Sequence, residues 1–200
     1  MLISQQRPSV ELYFGKSGEG KTFLALSHIG PQPAILYDIN EQEVLTRNAV
    51  ICSSPIDLVK ALDRGERRIC WRGFGVMGPV AAFEWANKCA RVYGNRVLLW
   101  DDVDRMMPIY PVPVHADWII NAGRHRRLTI KASARRPANM PRNLTAAATK
   151  VYSYRIHGRR DLRYLADEWF DDLAARLPAL RRGQALVWTE RDGAFEKKIY

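Results

Sequence analysis

The chain has 200 residues, of which 47% are hydrophobic and 26% charged, and its formal net charge is +10. This length suits one α/β domain with a full core and disfavours two, so residues 1–200 are expected to form a single domain. The three cysteines show no C-x-x-C spacing, no apolar run approaches eighteen residues, and no signal-peptide pattern is found. These observations argue against a zinc site, a membrane span and secretion.

Short apolar runs alternate with helical patterns along the chain. Such alternation predicts an α/β fold with a mostly parallel central sheet, helices on both faces and a small β extension at the C-terminal end. Strands are predicted at residues 10–14, 34–37, 50–52, 68–71, 97–100, 128–132, 151–156 and 185–188, and residues 195–200 suit an edge hairpin. Helices are predicted at about residues 20–30, 80–92 and 161–176, the last with an apolar face at Leu162, Leu165, Trp169, Leu173 and Leu177.

The first predicted strand is followed by the stretch GKSGEGKT, which fits the pattern G-x-x-x-x-G-K-[ST]. Glycines allow the loop to turn its N–H groups inward around a phosphate, and the following helix adds its positive end. Lys21 is expected to reach the β- and γ-phosphates, and the Thr22 hydroxyl to bind Mg²⁺. The pattern therefore predicts a P-loop that binds ATP and Mg²⁺ through Gly15, Lys16, Ser17, Gly18, Glu19, Gly20, Lys21 and Thr22.

Two carboxylates, Asp101 and Asp102, follow the apolar run 97–100. In a P-loop fold the first acid of such a pair holds a Mg²⁺-bound water, and the second polarises the water that attacks the γ-phosphate. Most ATPases of this type carry glutamate at the second position, so the side chain of Asp102 is one methylene shorter, and a shift of backbone or substrate is expected to compensate. Asp104 and Glu41 are the reserve candidates for the base.

The positive charge is concentrated between residues 118 and 160, where eleven lysines and arginines occur without a single aspartate or glutamate. A solvated basic surface would explain some of this excess. A segment of this length without a carboxylate indicates instead a polyanionic partner.

Residues 123–137 resemble the corresponding segment of the FtsK–HerA superfamily of DNA-pumping ATPases, in which an arginine precedes a strand that ends in a polar sensor and Arg-Pro. The resemblance implies that Arg124 is an arginine finger inserted into the neighbouring subunit's nucleotide site. It also implies that Arg135 senses the γ-phosphate, although that family usually carries glutamine there. Weaker matches to the family lie at residues 38–41, 152–165 and 177–180.

Since the P-loop lies near the start of a short chain, the sequence most resembles the genome-packaging ATPases of membrane-containing icosahedral viruses. This resemblance implies a RecA/ASCE-like motor that pumps double-stranded DNA into a preformed capsid as a homo-oligomeric ring, expected to be a hexamer. Its implied partners are capsid portal or vertex proteins, and its implied location is the virion or the host cytoplasm. The arginines expected to contact DNA are Arg126, Arg127, Arg136 and Arg142.

Three other hypotheses fit parts of the pattern. Small-molecule P-loop kinases share the length and an arginine-rich lid, but the paired aspartates suit water activation better than acceptor binding. A nucleotide-dependent switch without hydrolysis is favoured if Asp102 and Arg135 signal lost chemistry. The filamentous-phage assembly ATPases, which include the zonula occludens toxin-like proteins, are related but normally carry a transmembrane helix.

Overall fold

A nine-stranded sheet runs through the computed structural model, which describes residues 9–199. The order across the sheet is β3-β4-β2-β5-β6-β1-β7-β8-β9. The first seven strands in this order are parallel, β8 is antiparallel to β7, and β9 is antiparallel to β8. The predicted α/β class, with a mostly parallel sheet and a C-terminal β extension, is confirmed. The strands are β1 (Val10–Phe14), β2 (Ala34–Tyr37), β3 (Val50–Cys52), β4 (Arg68–Trp71), β5 (Arg96–Trp100), β6 (Leu128–Ala134), β7 (Lys150–Ser153), β8 (Gln184–Thr189) and β9 (Gly193–Lys198).

Helices join the parallel strands, as crossover connections between parallel strands require. None of the helices in residues 9–199 combines the length and apolar character that a membrane crossing needs. The α-helices are α1 (Lys21–Ser27), α2 (Glu43–Thr46), α3 (Pro55–Asp63), α4 (Phe74–Met77), α5 (Pro79–Tyr93), α6 (Val114–Ala122), α7 (Arg142–Ala146) and α8 (Arg159–Leu165).

Two apolar cores lie on opposite faces of the sheet. Leu12 and Phe14 of β1 point into the larger core, and Tyr13 between them points into the smaller one. Phe83 of α5 packs in the larger core, and Leu24 of α1 in the smaller. The three cysteines are buried and free. Both faces of the sheet are therefore covered, and the functional groups are left to the ends of the strands.

A buried ion pair connects the two central strands. Lys131 of β6 donates its ammonium to Glu11 of β1 at 2.7 Å, and the Lys131 side chain is almost completely enclosed. Burial alone would raise the pKa of Glu11, but the hydrogen bond to His28 and the Lys131 charge outweigh it and lower the pKa to about 2. The pair therefore favours the observed pairing of β1 with β6.

The largest difference from the sequence-based prediction lies at residues 161–176. Instead of one helix, α8 ends at Leu165, and a single π-helical turn (Ala166–Phe170) and a 3₁₀ helix (Asp171–Ala179) follow. The positive φ of 44° at Asp171 interrupts the α-helical path, although Leu165, Trp169 and Leu177 of the predicted apolar face are buried. The predicted strand 151–156 likewise ends at Ser153, and Tyr200 of the predicted hairpin lies outside the described residues.

Candidate nucleotide site

The predicted nucleotide-binding groups lie together at the carboxyl ends of the parallel strands. The P-loop follows β1, the two aspartates follow β5 and Arg135 follows β6. These strands are neighbours in the order β5-β6-β1, so their ends meet at one edge of the sheet. In open α/β sheets this edge is where ligands bind.

The backbone of the P-loop depends on its glycines. Gly18 and Gly20 have φ values of 82° and 96°, which side chains other than glycine rarely adopt. At Gly15, φ is 151°, and a Cβ atom would lie 2.8 Å from the Cβ of Tyr154. The first glycine thus allows the segment after β7 to pass directly against the loop.

Lys21 begins helix α1 and is buried at the base of the loop. Its Nζ atom donates a hydrogen bond to the Lys16 carbonyl at 3.0 Å, which curls the side chain back along the loop. Burial lowers the pKa of Lys21, whereas the negative charges of Asp102 and Asp101 act in the opposite direction. The ammonium group is therefore shielded from water, and a phosphate oxygen would give it a negatively charged hydrogen-bond partner.

Thr22 and Asp101 are brought into direct contact, as a shared Mg²⁺ site requires. The Thr22 hydroxyl donates to Asp101 Oδ1 at 2.8 Å, and the buried Ser133 hydroxyl donates to the same oxygen at 2.7 Å. Gln42 donates its side-chain amide to Asp101 Oδ2. Burial raises the pKa of Asp101, and these hydrogen bonds oppose the shift. A hydroxyl and a carboxylate beside a triphosphate are the hard oxygen ligands that Mg²⁺ prefers, so the residues present fit this ion.

Asp102 lies beside this cluster on an unusual backbone. Its φ of 51° is in the left-handed region, and its N–H donates to Ser133 Oγ at 2.8 Å. The carboxylate accepts a hydrogen bond from Asn40 Nδ2 at 2.8 Å and lies 3.8 Å from Arg135 Nε, both through Oδ2. The structure therefore brings the predicted base and the predicted sensor together at the mouth of the site.

The two reserve acids occupy different surroundings. Asp104 is half-buried, and burial together with the nearby Asp102 charge raises its pKa. Glu41 is exposed and has a positive φ of 54°. Asp102 accepts a hydrogen bond from Asn40 and is less buried than Asp101, and Arg135 lies near both Asp102 and Asp104. The contact with Asn40 at the mouth of the site favours Asp102 as the candidate base.

Four supporting residues of the site escaped the sequence analysis, namely Asn40, Gln42, Ser133 and Arg155. Gln42 is fixed by its N–H, which donates to the buried Asp38 carboxylate at 2.9 Å. Ser133 lies in β6, one residue beyond the end of the predicted strand 128–132, and its role depends on the pairing of β6 with β5. The Asp-rich turn at residues 38–41 and the polar serine near a strand end were the only sequence signals.

Glu19 of the P-loop is tied to the segment that follows β7. Its buried carboxylate accepts a hydrogen bond from Arg155 Nη2 at 2.9 Å. The neighbouring Tyr154 donates its N–H to the Phe14 carbonyl at 2.8 Å. The loop is thus held by the chain immediately before α8 as well as by its own glycines.

The basic segment 118–160 does not form one continuous surface. Arg124, Arg126 and Arg127 are exposed and precede β6, at the edge of the sheet opposite the P-loop. Strand β6 has seven residues and spans about 23 Å, so Arg124 cannot reach the nucleotide site of its own chain. Lys131, in the middle of the strand, is buried against Glu11. The basic residues of this segment are therefore divided between the two edges of the sheet and its interior.

The other two arginines predicted to contact DNA lie at the nucleotide edge. Arg136 is exposed directly after Arg135. Arg142 forms an ion pair with Glu168 and stacks over the Tyr164 ring at 4.6 Å from its centroid. Arg142 therefore already has partners within its own chain, whereas Arg126 and Arg127 have no ion pair within residues 9–199.

The fold is similar to that of solved NTPase structures. The chain superposes on the genome packaging NTPase B204 from Sulfolobus turreted icosahedral virus 2, solved in complex with ATP-gammaS, with a TM-score of 0.74 and 16% identity over 96% of this chain and 98% of that chain. In complex with sulfate, B204 gives a TM-score of 0.76 at 16% identity over 97% and 98% of the two chains. The chain has the fold of an FtsK–HerA-type ATPase.

More distant members of this fold group are also similar. VirB4 of Thermoanaerobacter pseudethanolicus gives a TM-score of 0.67 at 11% identity, over 98% of this chain and 90% of that chain. The N-terminal domain of zonular occludens toxin from Neisseria meningitidis gives 0.52 at 14% identity, over 97% and 94%. No protein-family profile matches the sequence, and comparison with curated proteins finds no relative. The FtsK–HerA resemblance predicted from the sequence is thus confirmed in the fold.

Proposed function

We propose that the chain is an ATPase that translocates double-stranded DNA as a homo-oligomeric ring and packages a viral genome into a capsid. The observation that carries the hydrolytic part is the cluster in which Thr22 and Ser133 both donate to Asp101 Oδ1 while Asp102 lies beside it. A small-molecule kinase would need an acceptor site and a lid of its own. The arginines that precede β6 lie at the edge opposite the P-loop and cannot close over the nucleotide of the same chain.

Each residue of the cluster has a defined task in this mechanism. Lys21 and the loop N–H groups bind the β- and γ-phosphates, and Thr22 with Asp101 holds Mg²⁺, which when bound neutralises charge on the phosphate oxygens. Asp102 orients the attacking water and accepts its proton. Both neighbours of the Asp102 carboxylate, Asn40 and Arg135, contact Oδ2, which leaves Oδ1 for the water.

The site is completed by a second copy of the chain. Arg124 is exposed at the far edge of the sheet, so in our proposal it enters the nucleotide site of a neighbouring subunit and stabilises charge that develops on the γ-phosphate. An arginine supplied in this way raises turnover by about 10³-fold or more. Hydrolysis would then depend on assembly of the ring.

The DNA and capsid parts of the proposal rest on charge and on likeness. The net charge of +10 suits a polyanionic partner, and the similar B204 structures are those of a genome packaging NTPase. On this basis we propose duplex DNA and capsid portal or vertex proteins as partners, a hexameric ring as the assembly, and the virion or host cytoplasm as the location.

A mixing experiment tests the proposal. Lys21→Ala and Arg124→Ala should each hydrolyse ATP poorly alone, whereas their mixture should recover activity, because some interfaces combine a sound P-loop with a sound arginine. Lys21→Ala mixed with the double variant Lys21→Ala/Arg124→Ala is the matched control and should stay inactive. Duplex DNA should stimulate the wild-type protein. If the wild type does not hydrolyse ATP, the ATPase proposal is wrong. If the mixture of variants recovers no activity and DNA does not stimulate the wild type, the translocase proposal is wrong.

A further inference from the structure

A cleft of about 480 Å³ lies between α7 and α8, outside the nucleotide site. We define the arginine cleft by the polar residues that line it, namely Arg142, Arg159, Arg160, Arg163, Tyr164 and Asp167. Four of these six side chains are arginines. We propose that the arginine cleft binds the phosphate backbone of double-stranded DNA, an inference that rests on the proposed function and names a surface for it.

Three arginines of the cleft are free to bind an anion. Arg159, Arg160 and Arg163 are exposed, and none of them makes an ion pair with any residue in the range 9–199. The positions lie three and four residues apart on α8, so all three project from one side of the helix within about 6 Å along its axis. One strand of a DNA duplex presents about two phosphates over that length.

The acidic residues of this region are mostly engaged elsewhere. Asp161 accepts a hydrogen bond from the Ala138 N–H at 3.2 Å, and Glu168 pairs with Arg142. Among the described residues that line the cleft, Asp167 is the one acid. Guanidinium groups bind phosphate oxygens in a bidentate manner, so the free arginines suit a phosphodiester backbone better than a single small anion.

The floor of the cleft is rigid. Tyr164 is buried, donates its hydroxyl to Thr145 Oγ1 at 2.9 Å and carries the Arg142 guanidinium on its ring. These contacts join α7 to α8 and hold the backbone that carries the arginines in place. A preformed surface loses less conformational entropy when it binds DNA than a flexible loop would.

The arginine cleft is connected to the P-loop through a short segment of chain. Helix α8 begins four residues after Arg155, whose guanidinium holds Glu19 of the loop at 2.9 Å. DNA in the cleft would therefore act on a segment that contacts the phosphate-binding loop. This connection gives a physical route by which DNA could alter ATP turnover.

The test compares two triple variants that remove equal charge. Replacement of Arg159, Arg160 and Arg163 by alanine should flatten the slope of log binding constant against log salt by about 1.8, which is 0.9 for each of the two phosphates that one strand presents over that length. The matched control replaces Arg64, Arg181 and Arg182, three exposed arginines outside the cleft, and should leave the slope unchanged. Basal ATP turnover and the circular dichroism spectrum should match the wild type in both variants, which excludes misfolding.

A lysine version sharpens the test. Arg159→Lys, Arg160→Lys and Arg163→Lys together keep the charge and should retain the wild-type slope. Two outcomes would show that the cleft is not the DNA surface while leaving the proposed function intact. In the first, the wild type binds DNA and the cleft alanine variant has the wild-type salt slope. In the second, the two triple alanine variants change the salt slope equally. If the wild type binds no duplex DNA at all, the translocase proposal fails and the cleft inference fails with it.

Discussion

Ser133 links both candidate catalytic acids, and its removal gives the sharpest test of the site. In Ser133→Ala, Asp101 loses a hydrogen bond to its carboxylate and the Asp102 N–H loses its acceptor. A hydrogen bond to a charged group contributes about 1.5–3 kcal/mol, and a buried unsatisfied donor costs about 1–3 kcal/mol. Because the two effects overlap in one residue, we expect unfolding to become easier by about 2–4 kcal/mol.

This loss has a thermal and a functional consequence. At about 2–4 °C for each kcal/mol in a chain of this size, the melting temperature should fall by about 4–16 °C, as measured by circular dichroism. The Asp101 carboxylate loses one of the hydrogen bonds that hold it in place, so the affinity for ATP in the presence of Mg²⁺ should fall about tenfold, equivalent to about 1.4 kcal/mol. In EDTA the affinity should be nearly that of the wild type, since the carboxylate acts through the ion.

Ser153→Ala is the matched control. Ser153 is also a fully buried serine on a strand beside β1, but its hydroxyl contacts the Tyr154 carbonyl at 3.3 Å and neither acid. We expect a loss of about 1 kcal/mol and unchanged Mg²⁺-dependent binding. Equal behaviour of the two variants in both assays would refute the role assigned to Ser133 and the geometry of Asp101.

Three further predictions concern individual side chains. Lys21→Ala should nearly abolish ATP turnover yet keep the wild-type circular dichroism spectrum, because its partner is phosphate rather than the core. Asp102→Asn should bind ATP normally and hydrolyse it slowly, and normal turnover of this variant would assign the base to Asp104 or Glu41 instead. Asp102→Glu should also hydrolyse ATP slowly, because glutamate adopts the left-handed backbone conformation less readily than aspartate. Glu11→Gln should cost about 3–5 kcal/mol at pH 7 because Lys131 stays buried without a counter-charge. The pKa of Glu11 is about 2 in the folded protein and ordinarily 4.5, so the wild type should lose this stabilisation as the pH falls from about 4.5 towards 2. The Glu11→Gln variant should show no such loss. Chemical denaturation at several pH values in this range measures the difference.

Much of the fold was predictable because the strands of a parallel sheet are short apolar runs. The sequence located the nine strands of residues 9–199, and the central strands, which are buried on both faces, show such runs most clearly, as at residues 97–100. The prediction for residues 161–176 was wrong in its backbone, whereas three of its five apolar-face residues are buried and Leu162 and Leu173 are partly buried. A helical apolar period reports which side chains are buried, whereas the positive φ at Asp171 depends on tertiary contacts that no local pattern contains.

Site residues that are close together in a sequence motif could be predicted. Site residues that are brought together only by the order of the strands could not. The P-loop and the two aspartates are local patterns. Ser133 became visible only because β6 lies between β5 and β1, an order that differs from the order along the chain. Arg155 holds Glu19 across 136 positions of sequence, a separation at which pairs cannot be inferred from a single sequence.

Strand β6 also constrains how neighbouring subunits would communicate in the proposed ring. The strand carries Arg124 just before one end and Arg135 just after the other. It pairs with β5 over residues 128–132 and with β1 over residues 130–134. The buried pair of Lys131 with Glu11 favours its register against the strand that bears the P-loop. Arg124 therefore cannot slide relative to its own nucleotide site without breaking the centre of the sheet. It follows that in such a ring Arg124 would enter or leave the neighbouring site by rotation of whole subunits rather than by movement of a loop.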